Sequence, residues 1–398
     1  MHRTALLALL LAVGCEAGSV PGVSPLTAGR PVAGSASWAP WPQAEHDGRR
    51  SAASPATGPQ TGAVRWTRHV EGNVTPGPVI GADGTIYAAS NAGVLHALDP
   101  RTGNDRWSFD GKGGYGLDQS TSAAVLADRT VLWPGPRNLL YALSPAGRLM
   151  WTQQLSGQPS SPAVASDGQH VTIADSTGSV LALEVHGDRH RVLWKAALHG
   201  SSYSSVALSP TDPHRAYTAH DATLVPLDDG QIAWTAATDD IIEVSPAVAP
   251  DGTVVVGTND SWEWAFTPSG ARRWRFARVA QSYSSPGITD DGIVYFGDHK
   301  AYLTGLDVAT GRVLARYRGP SVRKKGGPSV GIWTSPVVDA RHDVYWGTRS
   351  GHVLGVAPDG HQLFDLDTGA TVDSYPALGA DGLLVVGVTD GRLLGIGR

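Results

Sequence analysis

The stretch ALDPRTGNDRW, residues 97–107, carries the pattern on which the fold depends. A short apolar run ends in a turn-forming segment, and Trp107 follows the turn glycine Gly103 by four residues. The same step from a turn glycine to an aromatic residue recurs in Gly147 and Trp151, Gly230 and Trp234, Gly270 and Trp274, and Gly360 and Phe364. Short apolar runs bounded by Gly- and Pro-rich turns are typical of antiparallel strands, so the stretch predicts a β-hairpin.

A second marker shows that these hairpins belong to a repeat of about 40 residues. A short apolar segment precedes an Asp-Gly turn, and corresponding positions in successive copies are 78, 123, 162, 206, 246, 286, 336 and 376. The first copy contains four strand-like runs, at residues 77–81, 85–89, 94–98 and 105–109. Four antiparallel strands in each of many radial repeats are typical of a β-propeller. We therefore expect an all-β protein, an eight-bladed β-propeller of four-stranded antiparallel blades.

The two ends of the repeat array predict how the ring closes. The eighth copy, residues 375–398, holds only three strands. Its missing outer strand is found in residues 62–66, where Trp66 follows Gly62 by the same four residues. We expect the N-terminal strand to pair with the C-terminal blade, which removes an exposed sheet edge.

The recurring aromatic residues are predicted to be structural. Each lies on an outer strand, where a large ring can pack against the neighbouring blade. The set comprises Trp66, Trp107, Trp151, Trp194, Trp234, Trp274 and Phe364. The sixth copy departs from the pattern, because Ala315 takes the aromatic position.

The first 40 residues predict export and membrane attachment. A basic start and an apolar run precede Ala12-Val13-Gly14-Cys15, which looks like a bacterial lipoprotein cleavage box. We expect residues 1–14 to be a signal peptide, Cys15 to be lipidated, residues 15–40 to form a lipidated flexible tether and residues 41–398 to form a single propeller. An ordinary signal peptide with an incidental cysteine is the alternative.

Composition argues against several classes of function. The net charge of −5 offers no overall attraction to nucleic acid. The histidines are scattered, and His186 and His190 have no cysteine or compact carboxylate group beside them, so no metal site is expected. The sequence contains neither a Gly-x-Ser-x-Gly elbow nor a His-Glu-x-x-His helix, and no catalytic residue is predicted.

The repeat resembles that of the pyrroloquinoline-quinone (PQQ)-like propeller family, whose pattern Ala-x-Asp-x-x-x-Gly-x-x-x-Trp residues 97–107 match in full. Some members are quinoprotein dehydrogenases, which would imply PQQ and Ca²⁺ held by acidic and amide groups. Asp239-Asp240 is the densest acidic pair here, and an adjacent Cys-Cys ring cannot form. Another relative is the lipoprotein subunit of the outer-membrane β-barrel assembly machinery, which is similar in size, tether and blade count.

The propeller geometry predicts where a ligand could bind. Residues three positions before the repeat markers should surround one end of the central channel, and they include Thr75, Ser120 and Pro159. The candidate rim binding residues are Tyr203, Glu243, Tyr283, Trp333 and Asp373. Aromatic rings next to hydroxyl groups suit a peptide strand or a sugar. Alternatively, the neighbouring serines and threonines satisfy the inner strands and channel water.

The longest interval between repeats contains an insertion, residues 316–331. Its basic residues are Arg316, Arg318, Arg323, Lys324 and Lys325, and the last four form the candidate basic loop on the same rim. Such a loop could hold an acidic partner, a phosphorylated lipid headgroup or an anionic glycan. A solvated loop without a ligand is the alternative.

Taken together, these features predict a lipid-anchored, non-catalytic scaffold of the bacterial cell envelope. We expect a monomeric propeller on the outer membrane, facing the periplasm or the cell surface, that binds an envelope protein or glycan and needs no cofactor. A PQQ-dependent oxidoreductase with its cofactor on the propeller axis is the alternative.

Overall fold

The computed structural model describes residues 38–114, 121–198, 200–320 and 331–397, which form eight antiparallel sheets. Blade 1 contains β2 (Val79–Ile80), β3 (Ile86–Ser90), β4 (Val94–Leu98) and β5 (Asp105–Asp110). Blade 2 contains β6 (Ala124–Val125), β7 (Val131–Gly135), β8 (Leu139–Leu143) and β9 (Leu149–Gln154). Blade 3 contains β10 (Ala163–Val164), β11 (His170–Ala174), β12 (Ser179–His186) and β13 (Arg189–Ala197). Blade 4 contains β14 (Ala207–Leu208), β15 (Arg215–His220), β16 (Thr223–Asp228) and a divided outer strand, β17 (Gln231–Ile232) and β18 (Ala236–Ala237).

The second half of the ring repeats this order from inner to outer strand. Blade 5 contains β19 (Ala247–Val248), β20 (Val254–Gly257), β21 (Trp262–Phe266) and β22 (Arg272–Ala277). Blade 6 contains β23 (Gly287–Ile288), β24 (Ile293–Gly297), β25 (Tyr302–Asp307) and β26 (Val313–Arg318). Blade 7 contains β27 (Val337–Val338), β28 (Val344–Gly347), β29 (His352–Val356) and β30 (Gln362–Asp367). Blade 8 contains β31 (Ala377–Leu378), β32 (Leu384–Gly387), β33 (Arg392–Ile396) and the N-terminal β1 (Val64–His69).

The predicted closure of the ring is confirmed. β1 pairs with β33 in antiparallel register, with Trp66 opposite Gly395 and Thr67 opposite Leu394. The last sheet therefore has its outer strand from the start of the array and its other three strands from the end. The all-β, eight-bladed architecture is as expected, and the described residues include no helix that could span a membrane.

The sequence pattern around each aromatic residue has a physical cause within its own blade. Trp107 pairs with Ala97 of the adjacent strand, and a bulge follows at Leu98. In blade 8 the small partner is Gly395, where an added Cβ would lie 2.3 Å from the Trp66 ring. The residue opposite the aromatic ring must be small, which explains the alanine at the start of the repeated pattern.

The neighbouring blade explains why the turn residue is glycine. A Cβ on Gly103 would lie 2.5 Å from the ring of Trp66, and Gly103 also has a positive φ of 69°. The indole N–H donates to a carbonyl in the same turn at 2.8–3.1 Å in five pairs: Trp66 to Pro100, Trp107 to Pro145, Trp151 to Gly187, Trp234 to Pro268 and Trp274 to Val308. Except in blade 3, each repeat thus receives a ring on its turn glycine from the preceding blade. Gly187 of blade 3 instead accepts only the indole hydrogen bond of Trp151.

Blade 6 keeps this contact with a different residue. Tyr317, two positions after Ala315, lies on the same face of β26 and packs 3.7 Å from a Cβ built on Gly360. Its hydroxyl is 3.4 Å from the carbonyl oxygen of Pro358 in blade 7. Side chains two residues apart on a strand share a face, so the aromatic contact shifts along β26 without leaving the interface.

Blade 4 is the irregular member of the ring. Pro226 on β16 has no N–H to donate to an outer strand, and that strand is interrupted between β17 and β18. The turn between β16 and β17 contains only Asp229 and Gly230, so it lacks the carbonyl that receives the indole elsewhere. The ring of Trp194 still lies on Gly230, but its N–H makes no hydrogen bond among the described residues.

The segment before β1 crosses one end of the channel. Its backbone bonds in turn to the ends of the inner strands: Trp41 to Ile80, Pro42 to Val125, Gly48 to Leu208, Arg49 to Val248 and Ala52 to Val338. The Gln43 amide does the same for Val164. We call residues 41–58 the lead-in segment. Arg50 is fully buried in it, with hydrogen bonds to the carbonyls of Ala44, Ser161, Pro162 and Val206.

Two boundaries from the sequence need revision. Packed structure begins by Trp38, three residues before the expected start of the propeller, because its indole donates to Val125 O at 3.0 Å. The expected insertion of residues 316–331 starts too early, since Arg316 and the loop candidate Arg318 belong to the outer strand β26. Cys15, Ser120, Arg323, Lys324 and Lys325 lie outside the described residues.

Candidate functional site: one arc of the channel rim

The rim lies at the end of the channel opposite the lead-in segment. Each rim residue in the described ranges precedes an inner strand and lies beside the turn between the second and third strands of its blade. Backbone bonds create this pairing, as in His299 N to Gln281 O at 2.8 Å and Asn259 N to Ile241 O at 3.0 Å. The rim therefore presents two side chains per blade, one from each segment.

Three aromatic side chains meet where blades 6 and 7 adjoin. The ring centroids of Tyr283 and Trp333 are 4.7 Å apart at 68°, while those of His299 and Trp333 are 5.2 Å apart at 20°. Trp333 Nε1 and His299 Nε2 are buried without a hydrogen-bond partner among the described residues. The cluster therefore contains two polar groups whose hydrogen-bonding capacity a ligand or water could satisfy.

A cation and a carboxylate extend the cluster into blade 8. The Arg349 guanidinium lies 3.7 Å from the centroid of Trp333, and its Nε is 3.3 Å from Asp373 Oδ1. Burial raises the pKa of Asp373, although Arg349 acts in the opposite direction. Burial lowers the pKa of His299 to about 4, helped by the positive charges of Arg278 and Arg349, so this imidazole is neutral at pH 7.

Blade 5 supplies the other end of the arc. Asn259 Nδ2 donates to Glu243 Oε2 at 3.0 Å. Burial raises the pKa of Tyr283, and the charge of Glu243 adds to this effect. Four of the five predicted rim residues, Glu243, Tyr283, Trp333 and Asp373, thus lie in a row across blades 5 to 8 together with Asn259, His299 and Arg349. We call these seven residues the rim arc. Tyr203 projects separately from blade 4 and is 65% exposed.

The hydroxyl groups next to the rim residues are occupied by the fold. Along the channel, the backbone N–H of one blade donates to the serine hydroxyl of the next at 2.9–3.2 Å: Ser122 to Ser161, Ser161 to Ser205, Ser205 to Ser245 and Ser245 to Ser285. Ser284 Oγ donates to Thr334 O and accepts from Gly297 N. In Tyr-Ser-Ser, the serines therefore hold the inner strands, and only the tyrosine faces outward.

A buried ion pair lies in blade 5, behind the arc. Arg278 Nη1 donates to Glu263 Oε2 at 2.9 Å, and both side chains are at most 1% exposed. Burial raises the pKa of Glu263 to about 7, against the opposing effect of Arg278. Glu263 Oε1 and Arg278 Nε have no hydrogen-bond partner among the described residues.

A cavity of about 840 Å³ lies elsewhere, in the cleft between blades 3 and 4 beside the lead-in segment. Its lining includes Trp38, Leu183, Leu193, Trp194, Leu208 and Arg215. The cleft opens where the short Asp229-Gly230 turn fails to cover Trp194. The shortened turn is visible in the sequence, so the position of this cavity could have been predicted from it.

Three members of the rim arc, Asn259, His299 and Arg349, were not predicted from the sequence. His299 and Arg349 each follow a predicted rim residue, Tyr283 and Trp333, by sixteen positions, the same separation as Glu243 and Asn259. That constant spacing could have identified them. The sequence alone did not reveal that the second turn of each blade touches the rim.

The residues present do not fit a calcium-bound quinone. Calcium takes six to eight oxygen ligands, usually including several carboxylates. No group of three His, Cys, Asp or Glu side chains with a geometry for a metal occurs in the described part of the chain. On the rim arc, Glu243 bonds to Asn259 and Asp373 faces Arg349, so neither carboxylate belongs to an acidic cluster.

Comparison with known sequences identifies relatives. A family model described as outer membrane protein assembly factor BamB matches residues 55–114 and 188–398. Protein Rv3035 of Mycobacterium tuberculosis is 25% identical over 405 residues, covering 88% of this chain and 91% of that protein. The outer membrane protein assembly factor BamB of Yersinia pestis is 25% identical over 247 residues, covering 58% of this chain and 53% of that protein.

Solved structures share the fold. The quinohemoprotein alcohol dehydrogenase of Comamonas testosteroni superposes with a TM-score of 0.71 at 14% identity, covering 90% of this chain and 81% of that chain. BamB of Moraxella catarrhalis superposes with a TM-score of 0.63 at 16% identity, covering 84% and 99%. The fold thus occurs both in a dehydrogenase and in an assembly factor, and it does not by itself indicate catalysis.

Proposed function

Because this chain belongs to the family described as outer membrane protein assembly factor BamB, we propose that it is a non-catalytic binding scaffold of the bacterial cell envelope. The observation that supports this function best is the rim arc, where Tyr283, Trp333 and Arg349 are held together at the channel mouth. Trp, Tyr and Arg are the residues most enriched at the energetic centres of protein interfaces.

The arrangement favours a protein partner over a glycan. Sugars stack on open aromatic faces, but Trp333 already carries the His299 ring and the Arg349 guanidinium. A partner protein can use the edges of these preordered side chains. Its cations could approach Glu243.

The envelope location includes a lipid anchor at Cys15 in this proposal. The cysteine follows an apolar run in a lipoprotein-like cleavage box, and it is the only cysteine in the chain. Acyl chains stabilise membrane attachment by about 0.8 kcal/mol for each buried CH₂ group. Substitution of Cys15 by Ser should move the protein from the membrane fraction to the soluble fraction after cell lysis in high salt, which screens contacts between charged side chains and lipids. An unchanged distribution under these conditions would contradict the anchor.

The oxidoreductase alternative is a weaker proposal. It is supported by the dehydrogenase fold relative, but the rim arc lacks the grouped oxygen ligands that calcium needs. Titration of the purified protein with PQQ and Ca²⁺ separates the two functions. We expect no stoichiometric quinone absorbance to remain after gel filtration, and tight uptake would favour the enzyme.

Crosslinking in cells tests the scaffold directly. A photoreactive amino acid placed at Tyr283 in the full chain should capture an envelope protein that mass spectrometry can identify. Adding Trp333→Ala or Arg349→Ala should lower the yield of that adduct by at least about tenfold, as expected for interface centres worth 2 kcal/mol or more.

A matched control uses His214, whose side chain is 66% exposed and lines the cleft at the other end of the ring. His214→Ala should leave the adduct from position 283 unchanged. Thermal unfolding of each variant checks that the propeller is intact. Equal adduct yields in the wild type and both arc variants would overturn the rim arc as the binding surface.

A further inference from the structure

Two neighbouring outer strands concentrate positive charge on the side of the propeller. β22 carries Arg272, Arg273 and Arg275, and β26 carries Arg316 and Arg318, while neither strand contains Asp or Glu. The whole chain has a net charge of −5. The outer strands of blades 5 and 6 therefore carry charge of the opposite sign to the net charge of the protein.

Aromatic rings beneath these guanidinium groups hold them in place. The Arg275 Cζ lies 4.4 Å from the Trp262 ring centroid, and the Arg318 Cζ lies 5.4 Å from that of Tyr302. Arg316 bridges the two blades, at 5.8 Å from Phe276 of β22 and 5.9 Å from Tyr302. Ring contacts of this kind restrict the side chains before any ligand arrives, which reduces the entropy lost on binding.

Most of this charge is not neutralised within the protein. Asp251 pairs with Arg273 at 2.9 Å and Asp239 pairs with Arg275 at 3.0 Å. No carboxylate in the described ranges lies within ion-pair distance of the other three arginines of the two strands, Arg272, Arg316 and Arg318. We call the five arginines with Trp262 and Tyr302 the lateral patch.

We propose that the lateral patch binds an anionic lipid surface. Guanidinium groups take phosphate oxygens in a bidentate manner. Tryptophan and tyrosine favour the headgroup region of a bilayer, and here they lie next to the cations. The choice of a lipid surface rests on the proposed envelope location, but it does not depend on the partner of the rim arc.

This contact would orient the propeller. The outer strands face away from the channel axis, so binding through blades 5 and 6 places that axis roughly along the membrane surface. The rim arc then faces sideways, where a neighbouring envelope protein can reach it. Blade 7, the next in the ring, is not expected to share this contact, because its outer strand β30 carries Asp365 and Asp367.

Blade 3 provides a matched control surface. Its outer strand β13 carries Arg189, Arg191 and Lys195. Arg191 pairs with Glu184 at 2.6 Å, and Arg189 lies 4.0 Å from Asp188. Removing the three charges of β13 lowers the net charge as much as removing three from the lateral patch, so a nonspecific charge effect would be the same for both.

Vesicle co-sedimentation tests the proposal with the full chain carrying Cys15→Ser, which no acyl chain can modify. The Cys15→Ser protein without further substitutions should bind vesicles of phosphatidylglycerol and phosphatidylcholine more tightly than vesicles of phosphatidylcholine alone. Each arginine near an anionic bilayer contributes roughly fivefold in affinity. R272Q/R316Q/R318Q should therefore lose on the order of a hundredfold, while R189Q/R191Q/K195Q stays within about threefold of the parent.

Three results would overturn the inference. One is equal binding to charged and neutral vesicles, and another is equal loss in the two triple variants. In the third, the R272Q/R316Q/R318Q variant loses retention on heparin but still binds vesicles. That result would assign the patch to an anionic polysaccharide. Crosslinking from position 283 reports on the rim arc separately, so failure of one proposal can be told from failure of the other.

Discussion

The indole Nε1 of Trp66 lies 2.8 Å from the carbonyl oxygen of Pro100, although Trp66 belongs to blade 8 and Pro100 to blade 1. The same β1 strand pairs with the C-terminal strand β33. One short segment thus seals the ring twice, by a sheet ladder on one side and by an aromatic contact on the other. This closure covers the edge of β33 that would otherwise be exposed at the seam.

The contact between Trp66 and Gly103 can be tested with alanine. Gly103 and Gly369 both have positive φ, 69° and 77°, but a Cβ on Gly103 would lie 2.5 Å from Trp66 whereas Gly369 has open space. Both variants carry a backbone cost of about 1 kcal/mol. We expect Gly103→Ala to lose a further 1–3 kcal/mol or so from overpacking, measured by urea unfolding. Equal losses would show that the docked ring does not limit this turn.

Tyr317 should act as the docking aromatic of blade 6. Tyr317→Ala removes a buried ring, so we expect a loss of about 3–5 kcal/mol in the free energy of unfolding. Tyr317→Phe removes only the hydroxyl contact to Pro358 and should cost about 1 kcal/mol. Unfolding of the two variants side by side checks this order. A small effect of the alanine variant would mean that blades 6 and 7 adhere without the ring.

Arg50 should anchor the lead-in segment. Arg50→Met leaves several buried carbonyl groups without a donor, and Glu45, 3.9 Å away, loses its nearest positive charge. We expect a loss of at least about 3 kcal/mol and faster proteolytic cleavage within residues 41–58. Arg189→Met is the control, because that side chain is 89% exposed and its removal should change stability by less than about 0.5 kcal/mol. Identical melting of the two variants would argue against the anchor.

Glu263 should give stability a dependence on pH. Its pKa is about 7 in the folded protein against an ordinary value of 4.5, so between these values the folded state holds a proton that the unfolded chain has released. Stability from this group therefore falls as pH rises from about 4.5 to 7 and is constant above that.

Gln at position 263 cannot ionise and lacks this dependence. The unfolding free energy of the wild type minus that of Glu263→Gln should decrease across the window from about pH 4.5 to 7, as followed by urea unfolding at several pH values. Half-buried Glu184 provides a control, because hydrogen bonds from Arg191 and His186 lower its pKa and Glu184→Gln therefore does not remove a group with a raised pKa. A difference that stays constant or increases would contradict the raised pKa of Glu263.

Residues 97–107 show how far the chain by itself determined the structure. The turn glycine, the four-residue step to Trp107 and the small residue at Ala97 all reflect contacts that recur in each blade. Because a propeller repeats one local unit, these short-range patterns were sufficient for the blade count, the strand order and the closure by Trp66. They also placed Glu243, Tyr283, Trp333 and Asp373 at one rim.

Only the tertiary structure decided which of these residues act together. The stacking of His299, Trp333 and Arg349 joins two segments of blade 7 with a side chain of the preceding blade, and no local pattern encodes that distance. The lead-in segment follows no repeat, so its path depends on which inner-strand groups remain unpaired. The aromatic shift from Ala315 to Tyr317 likewise depends on the neighbouring blade. Local periodicity determines each unit, whereas contacts between units depend on how the closed ring brings distant residues together.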